Sequence, residues 1–222
     1  MIELGHISHP GKKRLLNEDS YDVDLPQGLA LVVDGMGGAN AGDIASAFVR
    51  EQLRKNILQG DDPADALKNA GQALRIQRPQ QGGSPSGASA AVLTWKATTF
   101  SLAWVGPCRA YFFDGQSTAM LCPPLKPDDK SSATTLSATS VQALGVTATD
   151  KLQVHALSSN WEKSQAILLC SDGLLEECRA DLLHEVISNR QLSAQEAVEH
   201  LLLNALQGTA NNNITAVLLR RN

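Results

Sequence analysis

The chain alternates between short apolar runs and longer stretches in which apolar residues recur every three to four positions. The short runs predict strands, because strands in globular proteins are roughly four to eight residues long. They lie at 2–8, 22–25, 29–33, 90–95, 99–105, 109–113, 152–157, 166–170 and 214–219. The longer stretches predict helices at 41–58, 63–76, 181–189 and 193–206. Many short strands, with helices in two separate pairs, indicate an α+β sandwich.

Turn and capping residues separate these elements. Residues 26–28 (PQG) close a hairpin, and Ser193 with Glu196 forms a capping box at the start of the last helix. The Pro-, Gly- and Ser-rich segment 79–87 predicts a loop. Segment 122–140, rich in Pro, Ser, Thr and Asp, is interpreted as a mobile loop because strands resume after it.

Two of the apolar runs end in an aspartate followed by glycine. Run 29–33 leads into Asp34, and run 166–170 leads, one residue later, into Asp172. A carboxylate at a strand tip can reach a metal ion without being buried unpaired, and glycine lets the backbone approach an ion closely. We therefore predict that the two carboxylates meet at one site. The simpler interpretations are a turn at Asp34 and a helix cap at Asp172.

Composition narrows the functional classes. The 222 residues include 19 Lys plus Arg and 23 Asp plus Glu, a formal net charge of -4. This balance argues against nucleic-acid binding and against a basic membrane-binding patch, and no apolar run is long enough to span a bilayer. The first residues lack a basic region followed by an apolar core, so a cytoplasmic location is expected. The four cysteines form no Cys-x-x-Cys motif and are expected to be reduced thiols.

Five short motifs carry a resemblance to a known family. They are RLLNED at 14–19, VDGMGG at 33–38, VGPCRAY at 105–111, LCSDG at 169–173 and NNIT at 212–215. In this order they resemble the motif series of bacterial PP2C-type (PPM) metal-dependent protein serine/threonine phosphatases. The resemblance extends from residue 5 to residue 219. It implies a single domain over 1–222 with a four-layer αββα sandwich of two mainly antiparallel sheets flanked by helix pairs.

The resemblance also implies a metal centre. Two Mn²⁺ or Mg²⁺ ions would share and activate a water that attacks the phosphate ester, and oxygen ligands suit such hard cations. By resemblance, Asp34 bridges both ions and the carbonyl of Gly35 binds the second. Asp172 binds the first ion, and Asn212 occupies the position of the remaining ligand to that ion. The third metal site of the family is expected to be absent.

Two further residues are implied to act in catalysis. Asp19, together with Glu18, would hold metal-bound waters. Arg14 would hold the substrate phosphate, a task that suits the two-pronged guanidinium group. Arg14 could equally be a solvated charge beside Lys12 and Lys13 when the family is left aside.

Three departures from the family pattern bear on activity. Asn212 stands where the family has an aspartate that ligates the first metal, so the site loses a charge. Pro107 replaces the aspartate that serves the third metal. The loop after Leu121 lacks the Asp-His-Ser of many bacterial members. From the sequence alone, Asn212→Asp is expected to raise metal-dependent hydrolysis.

Two functions from different classes follow. The first is an enzyme that hydrolyses phosphoserine and phosphothreonine in phosphoproteins, acts on the products of a serine/threonine kinase, and works as a monomer without nucleic acid or membrane. The second is a pseudophosphatase that binds phosphoproteins without turnover. Two sets of residues favour different functions. The enzyme is favoured by retention of Arg14, Asp19, Asp34, Gly35 and Asp172, whereas the binding module is favoured by Asn212 and Pro107.

Overall fold

The computed structural model describes residues 1–37, 41–77, 86–122 and 142–222. The strands are β1 (Ile2–His9), β2 (Asp19–Asp24), β3 (Leu29–Met36), β4 (Gly87–Lys96), β5 (Thr99–Val105), β6 (Arg109–Phe113), β7 (Thr118–Met120), β8 (His155–Asn160), β9 (Ala166–Cys170) and β10 (Ile214–Arg221). The helices are α1 (Gly42–Leu58), α2 (Pro63–Gln77), α3 (Asp172–Glu177), α4 (Ala180–Ser188) and α5 (Ala194–Gln207).

The strands form two five-stranded antiparallel sheets. One has the order β1-β10-β9-β6-β7 and the other β2-β3-β4-β5-β8. Alternation along β3 shows how the layers arise: Leu29, Leu31 and Val33 pack under α1 and α2, whereas Ala30 and Val32 face the other sheet. A third core lies between the first sheet and α3 to α5. The four-layer αββα sandwich predicted from the sequence is confirmed.

Several elements and boundaries differ from the prediction, and β2 and β3, for example, run Asp19–Asp24 and Leu29–Met36 instead of 22–25 and 29–33. Helix α3 and the three-residue strand β7 were not predicted from the sequence. Because of α3, one outer layer holds three helices instead of a pair. Strand β8 lies at His155–Asn160 instead of 152–157, because pairing with β5 runs from His155 to Asn160. The predicted loops 79–87 and 122–140 fall almost wholly outside the described residues.

Candidate metal centre

Strand ends from both sheets meet at one edge of the sandwich. Asp19 begins β2 and lies directly opposite Asp34, near the end of β3. Directly opposite residues of an antiparallel pair share one face of the sheet. Asp172 is the first residue of α3 in the other half of the molecule, and its charge acts on both Asp19 and Asp34. The fold thus brings together three aspartates from three separate motifs.

Ser171 links the two halves at this edge. Its hydroxyl donates a 2.7 Å hydrogen bond to Oδ2 of Asp19 and accepts one of 3.0 Å from the backbone N–H of Thr215. The other carboxylate oxygen of Asp19, Oδ1, is buried and has no hydrogen-bond partner among the described residues. A buried acceptor without a partner is costly, so this oxygen is suited to a bound water or cation.

Burial and the charges of neighbouring carboxylates raise the pKa of all three aspartates. Burial, followed by the charges of Asp19, Asp172 and Glu18, raises the pKa of Asp34 to about 8. Burial also raises the pKa of Asp19 to about 6, against the opposing effects of the Thr215 and Ser171 hydroxyl groups. The pKa of Asp172 is raised by burial and then by the charge of a nearby glutamate. The nearby cationic side chains therefore do not offset the burial of these carboxylates and the repulsion by their acidic neighbours.

The oxygen donors at this edge, carboxylates and backbone carbonyl groups, are of the kind that divalent cations prefer. A Cβ at Gly35 would lie 2.0 Å from the carbonyl oxygen of Gly42, so the backbone here is packed too closely for a side chain. Within the described ranges, no three His, Cys, Asp or Glu side chains converge closely enough to hold an ion by themselves. Backbone carbonyl groups and water would have to complete the coordination of any ion held by Asp34 and Asp172, as is common for Mg²⁺.

Neither simple interpretation of the two aspartates describes the structure. Asp34 and Gly35 lie within β3, paired with Ser89 and Ala88 of β4, and do not form a turn. Asp172 is not the cap of α3, because Ser171 holds the N-cap position.

Arg14 and Asn212 meet beside the aspartates. Nη2 of Arg14 donates a 2.7 Å hydrogen bond to Oδ1 of Asn212. The amide nitrogen of Asn212 donates a 2.8 Å hydrogen bond to Oε1 of Glu176. The charge of Arg14 lowers the pKa of both Asp34 and Asp172, which places its guanidinium near the cluster. Arg14 is therefore exposed but engaged, and is not a charge that only contacts solvent.

Asn213 holds the segment that carries Arg14 and Asp19. Its amide nitrogen donates to the carbonyl oxygens of Pro10 and Leu16, at 3.0 and 2.9 Å. Its amide oxygen accepts a 2.9 Å hydrogen bond from the backbone N–H of Glu18. A single buried side chain thus fixes both ends of the loop between β1 and β2.

Asn213→Ala is expected to lower the free energy of unfolding by about 2–3 kcal/mol, because three hydrogen bonds of about 1 kcal/mol each are lost. Urea denaturation measures this change. Asn211→Ala, an exposed position two residues earlier, is the control and should stay within about 0.5 kcal/mol of the unsubstituted protein. Equal effects of the two substitutions would contradict the role given to Asn213.

The turn between β5 and β6 borders the cluster. Arg109 donates hydrogen bonds of 2.9 and 3.1 Å to the carbonyl oxygens of Gly106 and Cys108, and its charge lowers the pKa of Asp172. Pro107 lies within this turn and offers no side-chain ligand.

All four cysteines are buried free thiols.

Sequence reasoning missed three residues of this site: Ser171, Glu176 and Asn213. Ser171 precedes Asp172 and Asn213 follows Asn212, so their positions beside motif residues were the available signal. Glu176 follows Asp172 by four residues, the spacing that places two side chains on one face of a helix. That signal required α3 to be predicted first.

The chain belongs to the protein phosphatase 2C family. Residues 3–134 match the family described as "Protein phosphatase 2C". The fold and the acidic edge described above agree with this membership. The family uses divalent metals.

Individual relatives are similar over nearly the whole chain. A protein of Mycoplasma genitalium named "Putative protein phosphatase" is 25% identical, with 96% of this chain and 93% of that protein covered. PppA, described as a key regulatory component of T6SS in Pseudomonas aeruginosa, is 25% identical with a TM-score of 0.82, covering 99% and 97% of the two chains.

The phosphatase PstP of Mycobacterium tuberculosis has the same fold, at 21% identity and a TM-score of 0.80 over 99% and 98% of the chains. The catalytic domain of PstP in complex with two manganese ions has a TM-score of 0.82 at 20% identity, covering 99% and 97%. Among the described residues of the present protein, no helix has the length and apolar character needed to cross a membrane.

Proposed function

We propose that this chain hydrolyses phosphoserine and phosphothreonine in proteins phosphorylated by a serine/threonine kinase, and that it uses Mn²⁺ or Mg²⁺. One observation carries the proposal. Asp19, Asp34 and Asp172 lie at one edge of the sandwich, where Oδ1 of Asp19 is buried without a hydrogen-bond partner among the described residues and the charge of Arg14 acts on Asp34. Carboxylates suit a divalent cation, and the guanidinium of Arg14, whose charge acts on Asp34 and Asp172, suits a phosphate.

Each residue has a distinct task in this proposal. Asp34, Asp172 and the carbonyl of Gly35 would hold divalent ions. When bound, such ions neutralise charge on phosphoryl oxygens and lower the pKa of water. Oδ1 of Asp19, which has no hydrogen-bond partner among the described residues, would accept a hydrogen bond from the attacking water and so orient it. Arg14 donates hydrogen bonds to the phosphate oxygens and fixes the ester for attack.

A phosphoprotein-binding module without turnover is the second candidate. The observation that favours it is the hydrogen bond from Arg14 to Oδ1 of Asn212, because this oxygen then contacts a cationic side chain. A carboxylate is also absent at this position. Such a module would retain phosphate recognition by Arg14 while holding metal too weakly for catalysis.

Phosphate release from a phosphothreonine peptide tests the proposal. We expect release with Mn²⁺, none with EDTA, and much slower release from the matched phosphotyrosine peptide. Binding of the phosphothreonine peptide without release at saturating Mn²⁺ would instead support the binding module. A protein that neither binds nor hydrolyses the peptide would contradict both candidates.

A further inference from the structure

Both polar atoms of the Asn212 side chain are engaged by protein groups. Oδ1 accepts a 2.7 Å hydrogen bond from Arg14, and Nδ2 donates a 2.8 Å hydrogen bond to Glu176. A guanidinium can only donate and an ionised carboxylate can only accept. The amide orientation is therefore fixed by its partners: reversing it would place donor against donor and acceptor against acceptor.

This orientation disfavours Asn212 as a metal ligand. A divalent cation on Oδ1 would share that oxygen with the positively charged guanidinium of Arg14, and the two cations would repel each other. The amide nitrogen, which faces Glu176, offers no lone pair to a metal.

Glu176 supplies the negative charge that Asn212 contacts. It lies one helical turn after Asp172 on α3, and its charge raises the pKa of Asp172. An aspartate at position 212 would place a second carboxyl group against that of Glu176, across a contact that is now 2.8 Å, and would remove the N–H group that donates to it. The amide of Asn212 and the carboxylate of Glu176 are thus chemically matched.

We propose that Asn212 is a positioning residue that holds the guanidinium of Arg14 for phosphate binding, and that Glu176 in turn holds Asn212. This inference rests on the proposed function, because it takes Arg14 as the phosphate-binding group. It replaces the sequence-based expectation for Asn212→Asp. That substitution, made alone, brings two carboxylates together and weakens phosphate binding.

Two titrations separate this role from metal ligation. Mn²⁺ binding to the full chain is followed by electron paramagnetic resonance, and inorganic phosphate binding by calorimetry at saturating Mg²⁺. Asn212→Leu should weaken phosphate binding roughly tenfold, the loss of one charge-assisted hydrogen bond and its orientation, and leave Mn²⁺ affinity within about twofold. Asn211→Leu, exposed in the same loop, is the control for both titrations and should change neither.

A pair of substitutions at Glu176 isolates its hydrogen bond from its charge. Glu176→Ala and Glu176→Gln remove the same charge, but only glutamine keeps an oxygen that can accept from Asn212. We expect roughly threefold or greater loss of phosphate affinity with alanine and near-retention with glutamine. Glu185→Ala, at an exposed position of α4, controls for loss of a surface carboxylate.

A double substitution that exchanges the amide and the carboxylate between positions 212 and 176 completes the test. Asn212→Asp alone should weaken phosphate binding, and adding Glu176→Gln should restore it to within about threefold, because the amide and carboxylate have then changed places. Loss of Mn²⁺ affinity in Asn212→Leu with unchanged phosphate affinity would overturn the inference but leave the phosphatase proposal standing. Equal behaviour of the Glu176 variants would overturn the role of that residue. An unsubstituted protein that binds neither probe would sink the proposed function as well.

Discussion

Asp34→Asn is expected to lower manganese-dependent hydrolysis of a phosphothreonine peptide by roughly 10³-fold or more, about 4 kcal/mol of activation free energy. Asp34 lies opposite Asp19 and within the field of Asp172, so it is the carboxylate that the rest of the cluster affects most. Asparagine keeps its shape but removes the charge. The kcat at saturating Mn²⁺ and the Mn²⁺ concentration for half-activation measure the effect.

A matched substitution checks that the loss is local. Asp65 lies exposed on α2, in the outer helix layer, and Asp65→Asn should leave kcat within about twofold of the unsubstituted protein. Unchanged circular dichroism of Asp34→Asn would show that it folds. Hydrolysis within tenfold of the unsubstituted protein in that variant would place the reaction elsewhere.

The two strand-end aspartates were predictable because their signal is local. An apolar run indicates a buried strand, and the first carboxylate after the run is expected near the end of that strand. The run could not show that β3 continues through Asp34 and Gly35 to Met36, because that depends on pairing with β4, more than 50 positions along the chain.

The contacts that complete the site carry no such local signal. Ser171 contacts Asp19 across 152 positions, Arg14 contacts Asn212 across 198, and Asn213 contacts Leu16 across 197. Within its own segment, none of these residues indicates which distant residue it contacts. The six residues of α3 are likewise too few to show helical periodicity, and without that helix Glu176 has no assigned place.

Strand β8 illustrates the same limit for the fold. The apolar residues Leu152 and Val154 indicated a strand, and they do pack against the core beneath α1 and α2. The paired segment instead ends in Ser158, Ser159 and Asn160, because β8 is the edge strand beside β5 and its polar side chains face solvent. An apolar pattern indicates which residues are buried, whereas a strand is defined by backbone hydrogen bonds to a neighbouring strand.

Without divalent ions, the protein is expected to lose stability as the pH rises. Burial and neighbouring carboxylates raise the pKa of Asp34 from 3.8 to about 8, so between these values the folded state holds a proton that the unfolded state has released. Its contribution is fully present below pH about 4 and is lost as pH rises through about 8. Asp19, with a pKa raised to about 6, adds a change of the same sign over pH 4 to 6.

Urea denaturation in EDTA at pH 5 and pH 7 measures this loss, and Asp34→Asn isolates the part due to Asp34. Each pH unit within the window is worth at most about 1.4 kcal/mol. We therefore expect the unsubstituted protein to lose about 2 kcal/mol more than Asp34→Asn between these two pH values. A divalent cation at 100 times its dissociation constant should add about 2.7 kcal/mol to the unsubstituted protein and much less to the variant. Identical pH profiles for the two proteins would mean that position 34 is not held in a buried, like-charged cluster, and the site would then have no electrostatic reason to take up a cation.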